Sequence, residues 1–71
     1  MNNGEFLKKM GAKIKAAREA KGLYLRDLGK LCDIHYGAIC EIEKGKRNAH
    51  ILTLKTIAEV LKVDIKDFIE Y

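Results

Sequence analysis

The sequence is poor in the features that mark membrane, secreted and catalytic proteins. No run of 18 apolar residues could span a membrane, and the charged N-terminal stretch MNNGEFLKKMGAKIK lacks the apolar centre of a signal peptide. There is no proline and no low-complexity segment, and there are only two cysteines and two histidines. We therefore expect a cytoplasmic protein with buried, reduced thiols, and not an enzyme, because no catalytic constellation is present.

The length and the charge distribution narrow the choice of function. A chain of 71 residues has room for one small domain. Residues 1–24 hold six basic and two acidic side chains (+4), residues 25–48 hold five and four (+1), and residues 49–71 hold three and four (−1). The basic first two-thirds suggests a positive face for a polyanion, although a merely lysine-rich surface would give a similar balance.

Apolar residues recur at helical spacing along the chain, and no stretch alternates for long enough to indicate a sheet. The pattern predicts five short helices. The first covers about residues 5–21, the second is marked by Leu25, Leu28 and Leu31, and the third runs from about His35 to Lys44. The fourth is marked by Leu54, Ile57, Ala58 and Leu61, and the fifth opens at DIKDF, whose first residue, Asp64, is the N-cap. Gly22 is suited to end the first helix, and Cys32-Asp33-Ile34 separates the second from the third.

The stretch CDIHYGAICEIEKGKR, residues 32–47, has one interpretation as a metal site. Cys32, His35 and Cys40 are possible metal donors, but a structural zinc site needs four ligands and the only other histidine is the distant His50. Positions 35 and 40 of one helix lie about 140° apart around its axis, so their side chains diverge. We therefore expect no bound metal and no cofactor.

The other interpretation of this stretch is a helix presented to a polyanion. Ile39 and Ile42 mark an inner face, whereas positions 36, 37, 40, 41 and 44 form one outward stripe. The stripe comprises Tyr36, Gly37, Cys40, Glu41 and Lys44. Its small residues allow close approach to a partner and its polar residues can hydrogen-bond that partner. The following loop, with Lys46, Arg47 and Asn48, suits phosphate oxygens.

These motifs carry a family resemblance. Helix two, the three-residue break and helix three resemble a helix-turn-helix, and about residues 7–69 are similar to the lambda-repressor-like (Xre or Cro/cI) DNA-binding domain. The resemblance is carried by IKAAREAKGL, LRDLGKLCDI, IHYGAICEIEKGKR and LKTIAEVLKVDIKDF. Within these, ICEIEKGKR resembles the family pattern Ile-x-x-Ile-Glu-x-Gly-Lys-Arg. The resemblance implies one all-α domain over residues 1–71, with five helices of which the second and third form the helix-turn-helix.

Several positions depart from the family pattern. Tyr24 and Leu25 replace Ser-Gln, Gly29 replaces alanine, Asp33 replaces the turn glycine, His35 replaces a Ser or Thr cap, Ala49 replaces proline, and His50 replaces a Ser cap. Glycine at position 29 lowers helix propensity but lets helix three approach closely. These changes affect individual caps and contacts, and we expect the fold itself to be kept.

The resemblance implies a sequence-specific regulator of transcription that binds double-stranded DNA. We expect a repressor that binds a palindromic operator as a homodimer, with helix three in the major groove. The residues assigned to base readout are Tyr36, Gly37, Cys40 and Glu41, and those assigned to phosphates are His35, Lys44, Lys46, Arg47 and Asn48. Arg18 and Glu43 match a buried ion pair of the family.

The C-terminal third of the sequence does not decide whether the binding partner is a second copy of this chain or another protein. The apolar candidates for a dimer interface are Ile51, Leu52, Phe68, Ile69 and Tyr71, some of which could instead complete the core. The alternative function is that of an antitoxin or protein-interaction module whose C-terminal helix docks a partner protein. Salt-sensitive binding to duplex DNA favours the regulator, and a one-to-one protein complex without DNA affinity favours the interaction module.

Overall fold

A computed structural model describes residues 2–69 as an all-α structure without strands. The helices are α1 (Asn3–Ala20), α2 (Leu25–Cys32), α3 (Tyr36–Glu43), α4 (Ile51–Leu61) and a C-terminal 3-10 helix (Ile65–Phe68). The predicted all-α class is confirmed over this range. Four of the five predicted helices are α-helices, and their bounds differ from the predicted ones by a few residues at most.

The helix ends show why these segments are helical where they are. The side chain of Asn2 caps α1 by accepting a hydrogen bond from the backbone N–H of Glu5 at 2.8 Å. After α1 the chain reverses at Gly22, whose φ of 71° is a conformation that glycine adopts without steric cost. The prediction that Gly22 ends the first helix is therefore correct.

The fifth predicted helix forms as a short 3-10 helix and not as an α-helix. Asp64 does cap the segment, since its carboxylate accepts from the backbone N–H of Lys66 at 3.1 Å. The segment is nevertheless a single 3-10 turn of four residues, and Ile69 already has extended backbone angles. Four residues are too few for a run of i→i+4 hydrogen bonds, so the turn closes with i→i+3 bonds instead.

One hydrophobic core joins all the helices. α1 packs on α3 and on the 3-10 helix, while α2 packs on α3 and α4. The core residues are Met10, Ile14, Leu28, Cys32, Ile39, Ile42, Leu54, Ile57, Ala58, Leu61 and Phe68. Leu31 shares the helical spacing of α2 but is 60% exposed, so it lies outside this core. None of the helices within residues 2–69 has the length and apolar content of a membrane span.

Two glycines let α3 approach its neighbours at backbone distance. A Cβ atom on Gly29 of α2 would lie 2.7 Å from the carbonyl oxygen of Ile34, in agreement with the close approach predicted for this position. A Cβ atom on Gly11 of α1 would lie 2.7 Å from the carbonyl carbon of Glu43 and closer still to two carbonyl oxygens. Real Cβ atoms do not tolerate such distances, and α3 is therefore held close against both α1 and α2.

Candidate nucleic-acid interface

A three-residue connection sets the angle between α2 and α3. Asp33 follows α2 in the left-handed conformation, with φ 57° and ψ 44°. The backbone N–H groups of Asp33 and Ile34 donate to carbonyl groups of Lys30 and Gly29, at 3.3 and 2.9 Å. An aspartate can hold this conformation, which is why the reversal forms without the glycine usual in the family.

The start of α3 is fixed by an uncommon cap. The Nδ1 atom of His35 accepts a hydrogen bond from the backbone N–H of Gly37 at 3.0 Å, and it takes the place of a serine or threonine oxygen. The His35 ring also stacks on Tyr36, with centroids 5.0 Å apart and an interplanar angle of 17°. The guanidinium of Arg26 lies 5.6 Å from the centroid of the Tyr36 ring. Tyr36 is therefore held in place by both of its neighbours.

Four residues of the outward stripe predicted for α3, Tyr36, Gly37, Cys40 and Glu41, line one surface. Tyr36, Glu41 and Lys44 are exposed, and the smaller Gly37 and Cys40 are half-buried between them. An open depression runs along this face and is lined by Leu25, His35, Tyr36, Gly37, Ala38, Cys40, Glu41 and Arg47. The small side chains form its floor, so another molecule could approach close to the helix backbone.

Arg47, predicted from the sequence as a phosphate contact on the following loop, also lines this surface. Its Nη2 atom is 2.8 Å from Oε1 of Glu41, and both side chains are about half exposed, at 52% and 49%. The two residues stand six positions apart across the helix end, where Gly45 has a φ of 74° and turns the chain back. No helical spacing relates these positions, so only the loop conformation could have revealed the pair.

A basic group surrounds the end of α3. Lys44, Lys46 and Asn48 are exposed. The Oδ1 atom of Asn48 accepts from the backbone N–H of Ala49 at 2.9 Å, so its amide nitrogen remains the group that can donate outward. Gly45 packs against α1, because a Cβ atom on it would lie 2.8 Å from the Cα atom of Lys8. The backbone of Lys8 therefore lies beside the end of α3, a proximity that no pattern in the sequence indicates.

Arg18 and Glu43 form a buried, two-pronged ion pair between α1 and α3. Arg18 donates from Nε to Oε2 of Glu43 at 2.8 Å and from Nη2 to Oε1 at 3.0 Å, while Nη1 donates to the carbonyl oxygen of Leu23 at 2.8 Å. The two residues are only 7% and 8% exposed. The hydrogen bond to Glu43 raises the pKa of Arg18, so the guanidinium stays charged although it is buried.

The candidates for a dimer interface differ in how much of each side chain is exposed. Ile51 and Leu52 are 63% and 70% exposed at the start of α4. The assignment of Phe68 to the interface is wrong, because its side chain is only 1% exposed. It completes the core and cannot contact a partner. Ile69 is half-buried, and Tyr71 lies outside the described residues.

The structure places the possible metal ligands in positions that disfavour a metal site. Cys32 is buried, and burial raises the pKa of its thiol, whereas zinc binds the thiolate. The Nδ1 atom of His35 is used by the cap of α3. Among residues 2–69, no group of three or more His, Cys, Asp or Glu side chains could hold a metal ion.

Metal independence is therefore a prediction for the purified protein. We expect less than one zinc per chain by elemental analysis, and an unchanged helical circular dichroism spectrum after treatment with a chelator. One equivalent of zinc together with chelator-induced unfolding would contradict it.

The family follows from a comparison with known proteins. A family model described as helix-turn-helix (HTH_3) matches residues 14–68, which is more than half of the chain. The chain belongs to this helix-turn-helix family. The match confirms the lambda-repressor-like (Xre) resemblance seen in the sequence, and it covers α2, α3, α4 and the 3-10 helix. No curated protein sequence matches the chain.

Solved structures resemble this helix-turn-helix protein over most of its length. The restriction-modification controller protein C.AhdI from Aeromonas hydrophila is 26% identical, with a TM-score of 0.84 and coverage of 87% of this chain and 94% of that one. An HTH_3 family transcriptional regulator from Vibrio cholerae is 25% identical, with a TM-score of 0.87 and coverage of 94% and 38%. The DNA-binding domain of BldD, at 24% identity, TM-score 0.86 and coverage of 99% and 100%, shows the fold alone. The family match and the first two of these structures support a DNA-binding regulator.

Proposed function

We propose that this helix-turn-helix protein is a sequence-specific regulator of transcription that binds double-stranded DNA. In this proposal α2 and α3 form the helix-turn-helix unit, and α3 enters the major groove as the reading helix. The protein acts as a repressor by occupying a palindromic operator as a homodimer. The observation that supports the proposal most is the outer surface of α3, where a low floor of small residues lies between polar side chains and beside a basic group.

The shape of that surface suits a groove of DNA. The major groove is about 12 Å wide and admits one α-helix, whose side chains then meet the base edges. Gly37 and Cys40 do not hold the helix away from the bases, and Tyr36 and Glu41 stand beside them with groups that can hydrogen-bond. The ring of Tyr36 can also contact a thymine methyl group.

Charged and polar groups around α3 suit the phosphates that flank a groove. Lys44, Lys46 and the adjoining Lys8 lie at the C-terminal end of the helix, and His35 lies at its N-terminal end. Contacts of this kind set the position of a protein on DNA without reading sequence. The face therefore combines groups for base readout in the centre with groups for phosphate contacts at both ends.

Selection from a random duplex library tests the proposal directly. Rounds of selection should enrich a palindromic site, and the measured affinity for that site should fall steeply as salt is raised. A library that enriches no sequence, together with weak and salt-independent binding, would overturn the proposal.

A protein-interaction module, such as an antitoxin, is the second candidate function. The observation in its favour is the exposed apolar pair Ile51 and Leu52 at the start of α4. The version in which a C-terminal helix docks the partner loses support, because Phe68 is part of the core. A tight one-to-one complex with another protein and no affinity for duplex DNA would favour this candidate over the first.

Homodimerisation on DNA is expected because one reading helix contacts too few base pairs to select a single site in a genome. Two half-sites about one helical turn apart supply the selectivity. The mass of the complex should correspond to two chains per operator. Leu52→Ser should weaken dimerisation by about 1–3 kcal/mol through the loss of buried apolar area, whereas Leu31→Ser, an exposed leucine on α2, should not. One chain per operator in the complex would contradict this prediction.

The central and flanking residues are expected to respond differently to mutation. Tyr36→Ala should reduce discrimination at one position of each half-site by roughly 1–3 kcal/mol. Lys46→Ala should weaken binding to all sequences alike and lower the slope of log affinity against log salt by about one unit for each lost phosphate contact. Affinities for matched and mismatched sites at several salt concentrations separate the two effects. A Lys46→Ala variant with altered base preference would contradict this division.

A further inference from the structure

An ion pair lies on the proposed reading face itself. Nη2 of Arg47 is 2.8 Å from Oε1 of Glu41, and both side chains line the depression along α3. Both are about half exposed, at 52% and 49%, and an ion pair so exposed contributes little to stability. A role in the fold therefore does not account for this contact, and its position on the face suggests a role in binding.

The pairing makes Arg47 a poor anchor for phosphate. A carboxylate at 2.8 Å cancels much of the attraction that the guanidinium would exert on a phosphate farther away. Lys44 and Lys46 supply positive charge at the same end of α3. What the pair offers a ligand is instead a fixed pattern of hydrogen-bond donors and acceptors.

That pattern matches one edge of a base pair. A guanidinium carries five N–H donors, of which the contact with Oε1 occupies one, and the second carboxylate oxygen of Glu41 remains an acceptor. In the major groove a G·C pair presents the N7 and O6 acceptors of guanine, followed by the N4 donor of cytosine. Two donors on Arg47 and one acceptor on Glu41 are complementary to this row of atoms.

We propose that Glu41 and Arg47 act as one composite reader of a single G·C base pair, an inference that rests on the proposed function. Arg47 donates to O6 and N7 of the guanine, and Glu41 accepts from N4 of the cytosine. An A·T pair presents a donor where the guanine has O6, and a reversed C·G pair presents the row in the opposite order. The Glu41–Arg47 pair therefore distinguishes a G·C base pair from the other three base-pair orientations, C·G, A·T and T·A.

The coupling between the two side chains is part of the proposal. Glu41 without Arg47 would bring an uncompensated negative charge close to DNA phosphates. Arg47 without Glu41 would keep the rotamer freedom of a long side chain and would lose that freedom on binding. Each residue thus positions the other before DNA arrives, and neither should read the base pair well alone.

The test compares Glu41→Ala, Arg47→Ala, Arg47→Lys and the double variant Glu41→Ala/Arg47→Ala, with Lys46→Ala as the matched control in the same loop. The duplexes are the operator obtained by selection and its derivatives with each of the four base pairs at every position. Circular dichroism verifies that each variant is folded, which is expected because the pair is exposed. Affinity is measured at several salt concentrations.

All four variants should lose preference for the same G·C pair, by roughly 5- to 150-fold in the ratio of affinities. The double variant should lose no more than Arg47→Ala does, because the two residues act as a unit. Arg47→Lys should behave like Arg47→Ala, since lysine lacks the planar fork that contacts O6 and N7 together. The salt slope should change for Lys46→Ala and stay nearly constant for Arg47→Ala.

Two results would overturn the composite reader. The first is an Arg47→Ala variant that binds all sequences more weakly and with a lower salt slope, which would make Arg47 a phosphate contact. The second is loss of preference at different base pairs in Glu41→Ala and Arg47→Ala, which would make them separate readers. In both cases the wild-type protein still binds its operator, so the proposed function survives. Absence of salt-dependent duplex binding by the wild type would instead defeat the proposed function.

Discussion

Arg18→Met is expected to lower the free energy of unfolding by about 3–5 kcal/mol, which is among the largest effects for any single substitution outside the apolar core. The substitution keeps an unbranched apolar stem but removes the guanidinium and its three hydrogen bonds, two to Glu43 and one to the carbonyl oxygen of Leu23. It leaves the Glu43 carboxylate, 8% exposed, without a cationic partner. Thermal and urea denaturation followed by circular dichroism measure the effect, with an expected fall in Tm of about 12 °C or more.

Two further variants separate the ion pair from general effects of mutation. Lys15→Met changes the same helix at an exposed position and should alter stability by less than about 0.5 kcal/mol. Arg18→Met/Glu43→Leu removes both charges and should recover much of the loss, because a buried pair replaced by apolar residues is often neutral. If Arg18→Met melts within a degree of the wild type, the pair does not stabilise the fold.

Gly11→Ala should lower the free energy of unfolding by about 2–3 kcal/mol, the upper end of the range for overpacking. Propensity alone predicts the opposite, since alanine in a helix interior is better than glycine by about 0.5–1 kcal/mol. The added Cβ would lie 2.7 Å from the carbonyl carbon of Glu43, which is backbone and cannot rotate away. α1 and α3 would have to separate, and the geometry of the Arg18–Glu43 pair between them would suffer.

Gly4→Ala is the matched control for this prediction. Gly4 belongs to the same helix, but the nearest atom to a Cβ there is Oδ1 of Asn2 at 3.4 Å, an ordinary contact distance. This substitution should leave stability unchanged or raise it slightly. A Gly11→Ala variant as stable as Gly4→Ala would show that α1 and α3 can adjust without loss.

The sequence predicts the helices well where their apolar residues repeat over several turns. Met10 and Ile14 of α1 and Leu54, Ile57 and Leu61 of α4 have this spacing, and all are buried. The last helix has no such repeat, because the described chain after Asp64 contributes only one fully buried side chain, that of Phe68. Its cap is visible in the sequence, but neither its length nor its 3-10 geometry is.

The sequence predicts only those parts of the candidate site that lie within a single helix. The stripe of Tyr36, Gly37, Cys40, Glu41 and Lys44 follows from the helical period, and in the structure the first four of these residues line one depression. The contact of Arg47 with Glu41, the packing of Gly45 on Lys8 and the close approach at Gly11 all depend on backbone turns or on pairs of helices. Local periodicity carries no information about either of these.

The shortness of α3 has a consequence for how binding and folding are linked. A helix of eight residues is not stable alone in water, so α3 exists only while α1 and α2 hold it. The amide hydrogens of Ile39 and Ile42 should therefore exchange with solvent only through opening of the whole domain, and not through local fraying. The proposed reading surface is then either complete or absent in each molecule. If the protein binds an operator as proposed, a destabilised variant should lose operator occupancy in proportion to its unfolded fraction, while its folded molecules keep the wild-type preference for sequence.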